Sequence, residues 1–135
     1  MISWFVDANV FLRFLTVDDE GQHARAARFL ERAAKGELCL VCGPPVLFEM
    51  AWTLRAAYKL PKDRILEILS AIFAQPGIAL TDAALVAEAL SLASRTGIEF
   101  ADAYIAAGAR AAGCAGVATF NRKDFIRLGV RTAEF

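Results

Sequence analysis

Short apolar runs of strand length alternate along the chain with longer stretches whose apolar positions recur every three or four residues. The segment ISWFV, residues 2–6, reads as a first strand, and NVFLRFL, 9–15, starts a helix. GQHARAARFLERAAKG, 21–36, has helical spacing, with Asp18 or Asp19 placed to cap it and Gly36 to stop it. LCLVC, 38–42, is a second strand, and Pro44 and Pro45 open the next helix. Pro61 opens another, which Pro76 and Gly77 end. GIALT, 77–81, is a short third strand, and Thr81 or Asp82 caps the helix that follows. EFADAYIAAGARAAG runs as a helix to Gly113, GVATF, 116–120, is a fourth strand, RKDFIRLG is a helical turn, and VRT is a fifth strand.

The alternation predicts an α/β fold, a three-layer α/β/α sandwich around a mostly parallel sheet of four to five strands with right-handed crossovers. Near-continuous apolar strands are expected when helices cover both faces of a sheet. With 135 residues the chain fits a single domain, 1–135.

Composition narrows the partners. The chain is 57% hydrophobic and 22% charged, with 15 Lys plus Arg against 15 Asp plus Glu. Its near-zero net charge means that nucleic-acid binding has to come from a local basic patch. No apolar run reaches the roughly 18–20 residues of a membrane helix, and MISWFVDANV lacks the basic start of a secretory leader. A cytoplasmic protein without a membrane partner is the expectation. Cys39 and Cys42 form a CxxC pattern, but on a strand they lie roughly 10 Å apart and point to opposite faces, so both read as core residues.

In a parallel sheet every strand ends on one edge, the edge where ligands of open α/β folds bind. Asp7 ends the first strand, Glu49 lies one turn into the helix after the second, Asp102 lies in the first turn of the helix before the fourth, and Asn121 follows the fourth. All four therefore fall on the C-terminal edge. Each alone has a plain structural explanation. Asp7 suits an N-cap, Glu49 a solvent-facing position, Asp102 a helix N-terminus and Asp124 a local cap. Together they are harder to explain so, because three close carboxylates repel unless a cation joins them. Oxygen ligands suit Mg²⁺ or Mn²⁺. Asn9 is placed to orient Asp7 or to cap the first helix, and Thr119 to hydrogen-bond a ligand oxygen or its own backbone. His23, the one histidine, sits in an Ala- and Arg-rich helix and reads as a surface residue. It supports neither a two-histidine ribonuclease mechanism nor a Ser–His–Asp triad. No phosphate-cradling glycine motif follows a strand.

FVDANVFLRFL, Glu49 in PPVLFEMAWTL, FADAYIAAGAR and VATFNRKDF together resemble the four signature segments of PIN-domain nucleases. Their order and spacing are most similar to the VapC-type toxins of bacterial toxin–antitoxin pairs. The resemblance implies a PIN-like fold and a Mg²⁺- or Mn²⁺-dependent endoribonuclease acting on structured RNA such as tRNA or rRNA. It makes Asp7, Glu49 and Asp102 the metal-binding acids, and implies a homodimer and a cognate antitoxin that inserts a segment into the site. Asn121 departs from the pattern, since the family usually has Asp there. Asn121 can offer a neutral oxygen, and Asp124, about one helical turn on, can supply the missing charge. In the expected mechanism Asp7 and Asp102 hold the cation, Glu49 positions or deprotonates water, and Arg13, Arg122 and Lys123 meet the phosphate. Two alternatives stand beside it. One is a catalytically weak PIN scaffold that binds RNA or a partner. The other is a small-molecule phosphohydrolase, which the haloacid-dehalogenase pattern disfavours because it needs Asp where Asn9 stands.

Overall fold

The computed structural model describes residues 1–135. Its elements, in chain order, are β1 (Ser3–Phe5), α1 (Ala8–Leu15), α2 (Glu20–Ala34), β2 (Cys39–Cys42), α3 (Pro44–Ala56), α4 (Lys62–Phe73), β3 (Ile78–Leu80), α5 (Ala83–Thr96), α6 (Phe100–Ala111) and α7 (Arg122–Arg127). The strands form one parallel sheet in the order β1-β2-β3. Ser3 pairs with Cys39 and Leu40 with Ile78. No helix is long and apolar enough to cross a membrane.

Local chemistry explains the boundaries. The Asp19 carboxylate accepts from the Gln22 amide at 2.9 Å and caps α2, and Gly36 leaves that helix with a φ of 80°. Pro44 and Pro45 occupy the first turn of α3, where their missing N–H groups cost nothing. Gly43 lies so close to the Thr81 hydroxyl that a Cβ there would force the Thr81 side chain to turn, because β2's exit passes beside β3's exit.

Two apolar clusters hold the chain. The larger has 19 buried residues, among them Phe11, Leu40, Cys42, Leu47, Met50, Leu54 and Leu69, and joins the sheet to α1, α3, α4 and α5. The smaller has eight, including Leu92, Ala103, Ala106, Val117, Phe125 and Leu128, and fastens the C-terminal segment to α5 and α6.

The sheet has three strands where four to five were expected. The predicted fourth and fifth strands meet each other in one isolated parallel bridge, Val117 with Thr132, and do not join β1–β3. Only Val117 of GVATF is buried, held by the smaller cluster, while Phe120 is 92% exposed. The Asn121 amide bonds the Thr119 hydroxyl at 2.9 Å, a local bond that takes the place of a ladder bond. Gly116 lies so close to the Arg131 carbonyl that a side chain there would collide with it. The expectation that both strand faces are covered holds for one face of β2, where Leu40 and Cys42 are fully buried, and is only half met on the other, where Cys39 and Val41 are half-buried. It fails for β1, an edge strand whose Trp4 and Phe5 are 54% and 67% exposed.

Candidate active site

Asp7 lies two residues beyond the end of β1, not at the strand's last position, and occupies the N-cap of α1. Its backbone carbonyl accepts from the Val10 amide at 3.1 Å, but its side chain makes no capping bond. The exposed carboxylate instead accepts from the Asn9 side-chain amide at 3.4 Å. Asn9 thus steadies the acid and leaves its other oxygen open.

Glu49 stands on α3 between half-buried Phe48 and buried Met50, just outside the buried stripe of Val46, Leu47, Met50 and Leu54. It is exposed and bonds to no other side chain.

Asp102 is in the first turn of α6 and half-buried. Burial, then the charges of Asp124 and Glu99, raise its carboxyl above the ordinary value of 3.8. Asp124 sits in the first turn of α7 and accepts from the Asn121 side-chain amide at 2.9 Å. Asn121 spends its NH₂ on Asp124 and its backbone N–H on Thr119, which leaves its amide oxygen free. Asp102, Asp124, Asn121 and Thr119 therefore form one linked group, and Asp7 with Asn9 a second. Nowhere do three carboxylate, imidazole or thiolate groups already converge as a ligand set.

The three cations differ in freedom. Arg13 is half-buried and 4.0 Å from Asp18, which also accepts from the Tyr58 hydroxyl. Arg122 donates to the Thr132 hydroxyl at 3.1 Å, across the Val117–Thr132 bridge. Lys123 is exposed and makes no ion pair. His23, expected at the surface, is half-buried: its Nδ1 lies 3.0 Å from the Arg13 carbonyl and its ring stacks on Phe14 at 6.5 Å.

The PIN-domain family model matches residues 4–130. The chain belongs to the PIN-domain family. No curated protein matches it. PIN domains are generally metal-dependent nucleases, which places this one among hydrolases in its coarse class. The donor chemistry of this PIN domain fits a hard divalent cation. Its site acids offer oxygens only, they are exposed or half-buried, and Asp102 carries like charges beside it that a cation would relieve. Mg²⁺ and Mn²⁺ take few protein carboxylates and keep several waters, so ligands spread over α1, α3 and α6 are compatible with them.

Two acids near the site escaped the sequence pattern. Asp82, read there as a helix cap, stands at the N-cap of α5 just past β3, with a left-handed φ of 53° and no capping side-chain bond. Its charge, after burial, raises the Tyr104 phenol on α6. An acid directly after the third strand was the available signal. Glu99 is the other, but Arg55 at 3.6 Å and Lys62 at 3.9 Å neutralise it.

Proposed function

We propose that this PIN domain is a Mg²⁺- or Mn²⁺-dependent endoribonuclease, the toxin of a type II toxin–antitoxin pair, which hydrolyses phosphodiesters in structured RNA. The observation that carries the reading is half-buried Asp102 in the first turn of α6, with Asp124 as its unpaired acidic neighbour, on a chain that the PIN-domain family model matches over residues 4–130. Asp7 and Asp102 would hold the ion together with Glu49, and Asn121 and Asp124 would hold its waters. When bound, such an ion supplies Lewis-acid polarisation of a phosphoryl oxygen and a more acidic water.

The chain's own groups do the rest. Asn9 keeps the Asp7 carboxylate turned outward. Glu49, exposed and uncommitted, takes the proton of the attacking water. Lys123 and the remaining donors of Arg13 and Arg122 balance charge on the phosphate during in-line attack. Water as the nucleophile leaves a 5′-phosphate and a 3′-hydroxyl.

The toxin role, a homodimer and a cognate antitoxin belong to the same proposal and rest on the likeness of the four segments to VapC-type toxins. One observation favours a second reading: with Asn121 in the fourth place and no ready three-acid set, the domain suits an RNA-binding scaffold of weak activity. Incubation with total RNA and Mg²⁺ or Mn²⁺, followed by mapping of the ends, separates the two. New 5′-phosphate ends that vanish in Asp7→Asn support hydrolysis. Ends carrying a 2′,3′-cyclic phosphate reject it, and binding without cleavage favours the scaffold.

A further inference from the structure

An open cleft of about 420 Å³ runs between α1 and the N-terminal half of α2, lined by neither Asp102 nor Asp124. Its polar wall consists of Asn9, Arg13, Gln22 and Arg25, and Val10 and Phe29 supply apolar surface. No carboxylate lines it, although the chain has as many acids as bases. Arg25 is exposed and makes neither an ion pair nor a hydrogen bond. Arg13 keeps donors to spare, because its one ion pair is long, at 4.0 Å, and shares Asp18 with Tyr58.

The cleft is held in shape. The Asp19 side chain caps the first turn of α2 through Gln22, and His23 approaches the Arg13 carbonyl at 3.0 Å while stacking on Phe14. These contacts set α2 against the end of α1, so Arg25 projects from a rigid support. At the other end of the cleft, Asn9 donates to Asp7. The cleft therefore opens beside one of the candidate acids.

We infer that this cleft is a subsite for the RNA strand flanking the bond that is cut, with Arg25 as its phosphate-binding residue. The inference rests on the ribonuclease reading and adds to it a binding element on α2. A strand whose reacting phosphate lies at Asp7 passes Asn9 first and meets Arg13 and Arg25 with its neighbouring phosphates. Guanidinium groups suit that contact because they offer several N–H donors in a plane. The apolar surface of Val10 and Phe29 accepts a nucleobase, and the amides of Asn9 and Gln22 can pair with base edges or sugar hydroxyls. An acidic peptide would satisfy the arginines alone but leave the amides and the apolar surface without use.

The test measures anisotropy of a short fluorescein-labelled RNA on the full chain carrying Asp102→Asn, so that the probe survives, and cleavage kinetics on the chain without that change. Arg25→Ala should weaken binding about fivefold and make the salt dependence shallower by about one ion. Arg25→Glu should weaken it further and Arg25→Lys should restore most of it. In cleavage, Arg25→Ala should raise KM and leave kcat unchanged. Arg28→Ala is the control, because Arg28 is exposed on the same helix and does not line the cleft. Binding by Arg25→Ala equal to that of its parent overturns the subsite even if the parent cuts RNA. RNA binding that depends on Arg25 in a chain that cuts nothing supports the subsite and overturns the nuclease. Poly-glutamate that binds through Arg25 where RNA does not overturns the assignment in favour of a protein partner.

Discussion

The cluster around the sheet and the cluster beneath the C-terminal segment carry the candidate acids on unequal foundations. The first buries 19 residues and supports Asp7, at the exit of β1, and Glu49, on α3. The second buries eight and supports Asn121 and Asp124 at the start of α7. Helix α6 belongs to both: Phe100 and Ala107 lie in the first cluster, Ala103 and Ala106 in the second. Asp102 rides on that shared helix. A site assembled across two cores can lose one half without losing the other, and the experiments below exploit that.

The largest effect should come from the acid on the shared helix. Asp102→Asn removes the charge and keeps the shape, so cleavage of RNA should fall about a thousandfold with the circular dichroism spectrum unchanged. Asp7→Asn should match it if the two cores contribute to one ion. A loss confined to Asp102→Asn would show that the sheet side is not part of the chemistry. Chelation with EDTA should abolish cleavage by the parent, and Mn²⁺ should restore it.

Next in size are two cavity mutations, one in each core. Leu40, on the central strand, and Leu128, after α7, are both buried to within 1% of their surface. Leu40→Ala should cost about 3–4 kcal/mol in urea denaturation, and Leu128→Ala about 2 kcal/mol, because the smaller cluster has more freedom to collapse. Hydrogen exchange should separate them further. Leu40→Ala speeds exchange throughout, whereas Leu128→Ala speeds it in 117–133 and spares β1–β3. Equal exchange everywhere in Leu128→Ala would mean that the two clusters unfold as one.

The same division marks what could be read from the residues beforehand. Helix limits were legible because their causes are local: Asp19 capping through Gln22, the Pro pair opening α3, Gly36 ending α2. The first three strands and their parallel sense followed from the alternation of elements. The fourth strand was not legible, because Val117 has strand chemistry and only its burial among Phe125 and Leu128 shows where it goes. In the site, the placement of Glu49 one turn into α3 and of Asp102 in the first turn of α6 was legible, while Asp7 lies past the strand end where it was expected. Asp124 was legible as a neighbour of that set, whereas the proximity of Asp82 to Tyr104 was not, because it depends on how α5 and α6 pack.

A smaller effect tests the half built on α7. Asp124→Asn removes a like charge from Asp102, so cleavage should fall about tenfold, in the range seen for outer ligands, and the acid limb of its pH profile should move to lower pH. Because the folded Asp102 carboxyl lies above its unfolded value of 3.8, stability is lost as pH rises through that interval. Asp124→Asn should return part of that loss, seen as a higher melting temperature at pH 7 in metal-free buffer. A lower melting temperature would mean that the Asn121–Asp124 bond matters more to the fold than the repulsion does.

The smallest effect belongs to the sheet core alone and lies on the alkaline side. Burial pushes the Cys42 thiol from 9.0 up to about 12. The folded chain therefore keeps the proton where the unfolded chain has begun to release it. Between those two values the unfolded state binds fewer protons than the native one, so stability falls as pH rises from 9.0 and continues to fall toward 12. Cys42→Val removes the thiol, and the difference in stability between parent and variant should shrink or reverse across that interval while staying constant at neutral pH. Thiol labelling offers the matching kinetic measurement. Exposed Cys114 should react at once, and Cys42 only at the rate at which the sheet core opens. If Leu128→Ala accelerates labelling of Cys42 as much as Leu40→Ala does, the C-terminal cluster is not a separable unit and the acids stand on a single foundation.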